Sequence, residues 1–208
     1  MNRLKALLDE VVDIIGKGNG RLPRAAYDFI RRYEALLSVD AVLVPQGRKP
    51  SALLLKREQK TVAGGKYYSV GGRLGKNKNL LGALRRIVKA ETGLNVYVKK
   101  DNIIGFGIVW YKASRKEGHD FDVFTPCLTF AIRVPETNEL RKKLKIGHGN
   151  TGWKIFRRIE ESWDSYLTQA VARAWDYYYG NGWRSKLPAA TKKKLKKYRD
   201  FIPLRQMS

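Results

Sequence analysis

The amino-acid sequence predicts an α/β protein in which helices cover both faces of a mixed β-sheet. Short β-branched and aromatic runs, typical of strands, alternate with amphipathic segments in the order strand, strand, strand, helix, strands, helix. Hydrophobic residues make up 43% of the 208 residues, enough for a buried core. No apolar run approaches the length of about 18 residues that a membrane span needs. We therefore expect no membrane partner.

The first 36 residues predict a helical extension. Apolar residues recur at helical spacing in residues 3–15, and Pro23 favours the first turn of a second helix that runs to about residue 36. Charged residues interrupt the apolar pattern of the first helix, which is not typical of a signal peptide. We therefore expect a cytoplasmic protein, and we interpret the helical pair as a packing element or as the contact of a homodimer.

Residues 37–180 predict the main domain, and residues 181–208 predict a basic C-terminal extension. Strands are predicted at residues 39–44, 52–56, 67–70, 96–98, 103–111, 121–134 and 153–159. Helices are predicted at residues 80–92, 161–178 and 191–199, the first of them ended by Gly93. The single cysteine, Cys127, lies in an apolar strand, which predicts a buried thiol in a reducing compartment.

The net charge of +23 is the strongest feature of the composition. Lysine and arginine number 42 against 19 acidic residues, and the excess lies mainly in residues 39–135 and 181–208. Such a field attracts polyanions, meaning nucleic acid, nucleotides or an acidic surface. The alternative is that part of the charge serves solubility alone.

The segment from Gly71 to Leu94 resembles the Nudix box, Gly-x5-Glu-x7-Arg-Glu-U-x-Glu-Glu-x-Gly-U, where U is aliphatic. The matching positions are Gly72, Arg86, Glu91, Gly93 and Leu94. Three glutamate positions of the box are instead held by Lys78, Ile87 and Ala90. The resemblance implies a Nudix-type α/β/α sandwich over a little more than half of the chain.

In the Nudix box, a loop carbonyl and helix carboxylates about one turn apart hold Mg²⁺ against a pyrophosphate. Because this chain lacks most of those carboxylates, the ordinary pyrophosphatase chemistry of the family is not expected. The departures are similar to those of GDP-mannose mannosyl hydrolases, which share Gly71-Gly-Arg73 and the pattern Arg-U-x-x-Ala-Glu-x-Gly at residues 86–93.

That resemblance implies a specific set of site residues. Glu91 and the Gly71 carbonyl would hold one Mg²⁺ or Mn²⁺ ion, and Asp40 would lie near the sugar as a catalytic residue. The diphosphate would be neutralised by Arg57, Arg73 and Arg86. The implied substrate is a nucleoside-diphosphate sugar similar to GDP-mannose, or a related diphosphate-linked nucleotide.

The implied reaction is attack of water on the anomeric carbon of the sugar, with a nucleoside diphosphate as the leaving group. The family's histidine base falls here at Gly149-Asn150, where no histidine is present. We expect His148, just upstream, to act as the base, the alternative being a solvated loop histidine.

Each remaining site residue also has a simpler interpretation. Glu91 could pair with a lysine on the helix surface, and Arg73 or Arg86 could form a structural salt bridge with Glu91. Asp40 lies in an apolar strand, where a charge needs a partner. It could therefore belong to a buried ion pair instead of a site.

A second functional hypothesis is a catalytically silent Nudix-fold module that binds RNA or DNA. Aromatic and basic residues interleave in the C-terminal extension, as expected of a surface that stacks bases and neutralises phosphates. The predicted nucleic-acid contacts are Trp183, Lys192, Lys193, Lys194, Lys196 and Lys197. The alternative is that the aromatic residues pack a helix onto the sheet while the lysines stay solvated.

Overall fold

The computed structural model describes residues 37–61, 63–74, 79–111, 123–147, 149–197 and 201–202. The helical pair predicted in residues 1–36 lies outside these residues, as do Lys78, His148 and the connection between the strands predicted at residues 103–111 and 121–134.

The described chain contains strands and helices in the predicted α/β order. The strands are β1 (Ser38–Pro45), β2 (Ala52–Arg57), β3 (Tyr67–Tyr68), β4 (Val70–Arg73), β5 (Ile103–Tyr111), β6 (Val123–Val134), β7 (Asn150–Phe156) and β8 (Phe201–Ile202). The α-helices are α1 (Leu80–Thr92), α2 (Thr137–Lys143), α3 (Ser165–Tyr179) and α4 (Ala189–Lys197).

One mixed sheet holds these strands together. Its main path runs β3-β2-β1-β6-β5-β8, with β1 and β6 parallel and the other neighbours antiparallel. Strand β1 changes its partner on the other side along its length. Residues 38–41 pair with β4, whereas Leu43 pairs with Leu53 of β2. Strands β2 and β4 therefore both lie beside β1, and the end of β2 comes close to the segment of β1 that pairs with β4.

Two apolar layers enclose the sheet, as expected for an α/β/α sandwich. Strand β1 is buried along its whole length, and its alternating side chains enter both layers. One layer packs Leu43 of β1 with residues of α1 and α2, and the other packs Val42 with residues of α3. The predicted fold class, with a mixed sheet and helices on both faces, is confirmed.

The predicted element boundaries differ from the observed ones mainly in short segments. The bounds of α1 and β5 agree with prediction, but the strand predicted at residues 96–98 is wrong because these residues belong to no strand. Helix α2 was not predicted, since its only buried residue is Leu140 and such a pattern resembles a polar loop. Helix α3 begins at Ser165, because the Asp164 side chain caps it by accepting a hydrogen bond from Leu167 N at 2.8 Å.

The C-terminal extension packs onto the main domain. Gln169 in α3 donates a hydrogen bond to the Leu195 carbonyl of α4 at 2.6 Å. Strand β8 pairs with the β5 edge, with Ile202 opposite Phe106. Among the described helices, none is long and apolar enough to cross a membrane.

Candidate functional site

Helix α1 places an acidic residue, Glu91, on its buried face. Asn79 caps the start of the helix by accepting a hydrogen bond from Gly82 N at 3.1 Å, and Gly93 ends it with a left-handed φ of 74°. Because residues three and four apart share a helix face, Glu91 follows Ile87 and Val88 toward the sheet. Only 7% of Glu91 is exposed to solvent.

Glu91 has an incomplete set of partners within the described residues. Its Oε1 lies 3.7 Å from Arg57 Nη1, whereas Oε2 is buried and accepts no hydrogen bond from a described residue. Burial raises the pKa of Glu91 to about 7, and the nearby Asp40 charge adds to this shift. Arg57, the Gly71 backbone and the Asn150 side chain lower the pKa. An unsatisfied carboxylate oxygen next to these groups is suited to a cation.

Asp40 lies at the centre of a buried hydrogen-bond network. Its Oδ2 accepts hydrogen bonds from Ser69 Oγ at 3.2 Å and from the Tyr166 hydroxyl at 3.0 Å. The Tyr166 hydroxyl also lies 2.8 Å from Thr129 Oγ1. Burial raises the pKa of Asp40 to about 6, while Tyr166, the Arg57 charge and Ser69 oppose this shift. Sheet pairing thus holds Asp40 next to β4 and below α3.

Gly71 separates the two carboxylates. A Cβ at this position would overlap the Asp40 carboxylate group, with Asp40 Cγ only 2.7 Å away, so the close approach requires glycine. The Gly71 backbone hydrogen bond lowers the pKa of Glu91. Since the N–H and C=O of one strand residue face the same neighbour, the Gly71 carbonyl also faces this side. That orientation is the one needed for a carbonyl ligand beside Glu91.

Arg57 lies at the end of β2, where the pairing with β7 is irregular. It stands opposite Asn150, and the register shifts between Lys56 and Arg57. Its side chain is 21% exposed, and the Nε atom is buried with no hydrogen-bond partner in the described chain. Its charge lowers the pKa of both Asp40 and Glu91, so the guanidinium group lies close enough to act on both acids.

The other predicted arginines differ in position. Arg73 ends β4 opposite Ser38, is half-buried, and its charge lowers the pKa of Asp40. Arg86 is exposed on α1. It precedes Glu91 by five residues, which at 3.6 residues per turn is about 140° around the helix. The structure therefore places Arg57 near both acids and Arg73 near Asp40, and it directs Arg86 to another side of α1.

The loop that carries His148 is anchored on both sides. Gly147 N donates to the Glu91 carbonyl at 3.2 Å, and the Gly149 carbonyl accepts from Glu58 N at 2.8 Å. His148 itself lies outside the described residues. The anchored neighbours connect this loop to the end of α1 and to the end of β2.

Two of the box positions, which hold Ile87 and Ala90 instead of glutamate, lie on α1 near Glu91, so few carboxylates meet at this site. Ile87 packs against Gly72, with its Cδ1 3.4 Å from the position a Cβ would take, and Ala90 is exposed. Among the described residues, no three metal-ligating side chains cluster. One carboxylate and a carbonyl fit Mg²⁺, because this ion keeps several waters and takes substrate phosphate oxygens as ligands.

An aromatic pocket of about 420 Å³ adjoins the Asp40 network. Its lining includes Tyr67, Tyr68, Lys154, Phe156, Trp163 and Asp164. Tyr68 stacks on Tyr166 with centroids 6.3 Å apart, which connects the pocket wall to the tyrosine that holds Asp40. The sequence pattern identified neither this pocket nor Tyr166, because residues from β3, β7 and α3 meet there only in the folded chain.

The predicted nucleic-acid residues of the C-terminal extension have mixed environments. Trp183 is half-buried, packs edge-on against Trp175 with centroids 5.0 Å apart, and donates its Nε1–H to Asp176 at 3.1 Å. Lys192, Lys193 and Lys196 are exposed on α4. The side chains of Lys194 and Lys197 lie outside the described part of the chain.

Comparisons with known proteins give structural matches alone. No family model matches the sequence, and no curated protein matches it. Among solved structures, the chain is similar to a MutT Nudix hydrolase from Burkholderia pseudomallei, with 12% identity, a TM-score of 0.48, and coverage of 67% of this chain and 98% of that one.

Two other similar structures have comparable values. A dihydroneopterin triphosphate pyrophosphohydrolase from E. coli has 16% identity and a TM-score of 0.46, covering 66% of this chain and 92% of its own. The Nudix domain of Shewanella oneidensis NrtR, solved with ADP ribose, has 15% identity and a TM-score of 0.42, covering 70% and 82%. At these identities and TM-scores, the likeness is one of general architecture.

Proposed function

We propose that this chain is a Nudix-type, Mg²⁺-dependent hydrolase of a nucleoside-diphosphate sugar similar to GDP-mannose, or of a related diphosphate-linked nucleotide. The observation that carries the proposal is the buried, unsatisfied Oε2 of Glu91 beside Gly71, with Arg57 3.7 Å from the other oxygen. A cation on one side of a carboxylate and a guanidinium group on the other form a site for a diphosphate.

The proposed metal ligands are Glu91 and the Gly71 carbonyl. A bound Mg²⁺ or Mn²⁺ ion would supply positive charge against the diphosphate oxygens. Arg57 and Arg73 would neutralise the remaining charge on the leaving nucleoside diphosphate, because Arg57 lies near both acids and Arg73 lies near Asp40. Arg86 would reach the same diphosphate only from the outer side of α1.

The proposed proton acceptor is His148, in the loop fixed by Gly147 and Gly149. It would take the proton of the water that attacks the anomeric carbon. Asp40 would act at the sugar end, held in one orientation by Tyr166 and Ser69. The bond between the anomeric carbon and the diphosphate oxygen then breaks, and the oxygen leaves with its electron pair.

The aromatic pocket would bind the nucleoside part of this substrate. Tyr67, Phe156 and Trp163 line this pocket and pack edge-on against one another, and their remaining ring surface would contact a planar base. The stack of Tyr68 on Tyr166 joins this pocket to Asp40.

Product analysis tests the proposal. The full chain is incubated with GDP-mannose, other nucleotide sugars and dinucleoside polyphosphates in Mg²⁺ or Mn²⁺, and the products are identified in ¹⁸O-labelled water. We expect nucleoside diphosphate and free sugar, with the label in the sugar. We also expect Glu91→Gln to abolish turnover and the exposed Glu136→Gln to preserve it. Absence of turnover with every substrate and both metals, or full activity of Glu91→Gln, would contradict the proposal.

A second candidate function is nucleic-acid binding without catalysis. The net charge of +23 favours it, as does the replacement of three box glutamates. Oligonucleotide binding with no hydrolysis of any nucleotide would support this candidate over the first.

A further inference from the structure

The outer surface of the α1–α2 layer is strongly basic. Arg85 and Lys89 are exposed on α1, and Arg141 and Lys142 are exposed on α2. The exposed acids of this layer are Asp101, Glu136 and Glu139, the last paired with Lys143. We refer to the exposed side chains of α1, α2 and residues 93–100 as the basic face. It is separate from α4, which covers α3 on the opposite side of the sheet.

The parts of the basic face are fixed to one another. Lys145 N donates to the Thr92 carbonyl at 2.9 Å, and the Lys145 Cβ lies 3.0 Å from where a Cβ on Gly93 would stand. These contacts join the chain after α2 to the end of α1. Below the face, Leu94, Val98 and Leu140 belong to one buried cluster. The backbone segments that carry these charges are therefore joined to one another.

An exposed aromatic ring stands within the basic face. Tyr97 is 74% exposed, the highest value among the large hydrophobic side chains of the described chain. Its neighbours Val96 and Val98 pack against the buried cluster, whereas the Tyr97 ring points into solvent. Lys99 Nζ lies 5.3 Å from the ring centroid. Tyr97 is the fourth residue after Gly93, so its Cα lies within about 14 Å of the Gly93 Cα, which is next to the Lys145 contact.

We propose that the basic face binds single-stranded nucleic acid, with Tyr97 as a stacking platform for a base and the surrounding lysines and arginines as phosphate contacts. An exposed ring beside a cationic track is the combination that such binding uses. A membrane surface fits less well, because Tyr97 is an isolated apolar side chain on this face and not part of an apolar patch. The C-terminal extension fits less well too, because Trp183 is engaged by Trp175 and Asp176.

Matched charge reversals of the full chain test this location. One variant carries Lys89→Glu, Lys99→Glu and Lys142→Glu on the basic face. The control carries the same number of reversals on α4, at Lys192→Glu, Lys193→Glu and Lys196→Glu. Binding of a labelled single-stranded RNA of about 12 nucleotides is followed by fluorescence anisotropy at increasing NaCl concentration. Thermal melting checks that each variant is folded, and charge reversal is preferred to truncation because α4 packs on α3.

We expect the face variant to bind at least about tenfold more weakly and with a shallower salt dependence, and the α4 variant to change by less than about threefold. Tyr97→Ala should weaken RNA binding by about fivefold or more, yet leave the binding of heparin, a polyanion without bases, nearly unchanged. The proposal would be overturned if the α4 variant lost as much RNA affinity as the face variant, or more. It would also be overturned if Tyr97→Ala bound RNA as tightly as the unmodified chain, or if the unmodified chain bound no RNA. Nucleotide hydrolysis is a separate readout, so this proposal and the proposed function fail independently.

Discussion

Arg57 and Glu91 meet where β2 ends and α1 ends, with Nη1 and Oε1 3.7 Å apart. The guanidinium charge stabilises the ionised form of an acid whose burial favours the protonated form. A divalent cation needs that ionised form as its ligand. Arg57 would therefore influence binding of the proposed metal ion without being one of its ligands.

Replacing Arg57 with glutamine is expected to move the pH midpoint of Mn²⁺ binding upward. Loss of the positive charge raises the pKa of Glu91 above about 7, so less of the carboxylate is ionised and the pH midpoint of binding moves upward. Titration of Mn²⁺ by electron paramagnetic resonance at several pH values measures this midpoint. Arg157→Gln, at an exposed position, serves as the control. An unchanged midpoint in Arg57→Gln would show that the two groups are not coupled.

The buried acids are expected to make the metal-free protein less stable as the pH rises. Burial raises the pKa of Glu91 from 4.5 to about 7 and that of Asp40 from 3.8 to about 6. Each group keeps its proton in the folded state at pH values where the unfolded chain has released it. This contribution to the free energy of unfolding is complete below the unfolded pKa and is lost as the pH rises through the folded pKa.

Urea denaturation with a chelator present measures this effect for Glu91. Between about pH 4.5 and pH 7, we expect Glu91→Gln to become progressively more stable than the unmodified chain, by on the order of 2 kcal/mol. Glu136→Gln, at an exposed position, should follow the unmodified chain. A stability difference that does not change with pH would contradict the raised pKa.

Substituting Gly71 with alanine is expected to destabilise the fold. The new Cβ would overlap the Asp40 carboxylate, and the hydrogen bonds from Ser69 and Tyr166 restrict its displacement. Overpacking of this kind costs about 1–3 kcal/mol. Gly152→Ala in β7 is the matched control, because nothing lies within 4 Å of its Cβ position. Chemical denaturation compares the two variants, and equal stabilities would refute the close approach of Gly71 to Asp40.

Removing the Tyr166 hydroxyl is expected to raise the pKa of Asp40 further. The hydroxyl donates to Asp40 Oδ2 at 3.0 Å, and this bond lowers the pKa of the carboxyl. In Tyr166→Phe, the Asp40 carboxyl resonance in a ¹³C NMR titration should move to a higher midpoint, with a loss of about 1–2 kcal/mol in unfolding free energy. Tyr97→Phe should change neither value, since Tyr97 is exposed. A midpoint at or below that of the unmodified chain would contradict the bond.

The sequence predicted those parts of the site that depend on local chain geometry. The bounds of α1 follow from its periodic apolar residues and from Gly93, and Glu91 follows from its spacing within the box. Tyr166 could not be found in this way, because 126 residues separate it from Asp40. Its role arises only when α3 packs on the sheet. Asn150 similarly reaches the site through the irregular pairing of β7 with Arg57.

Which side chains of α1 and the following segment are exposed also depends on packing that could not be predicted from the sequence. Arg86 and Glu91 both match the box, but the rotation between them directs one outward and the other into the fold. Tyr97 is another example, because its segment was predicted to be a strand but is irregular and exposes the tyrosine ring.

The docking of the C-terminal extension has a practical consequence for shortened versions of the protein. A chain ending at Gly180 would lose the β8 residues that pair with β5 and the helix whose carbonyl accepts the Gln169 side chain. An open strand edge and an unpaired, largely buried amide would both face water or other molecules. A soluble fragment for biochemical work should therefore extend through Ile202.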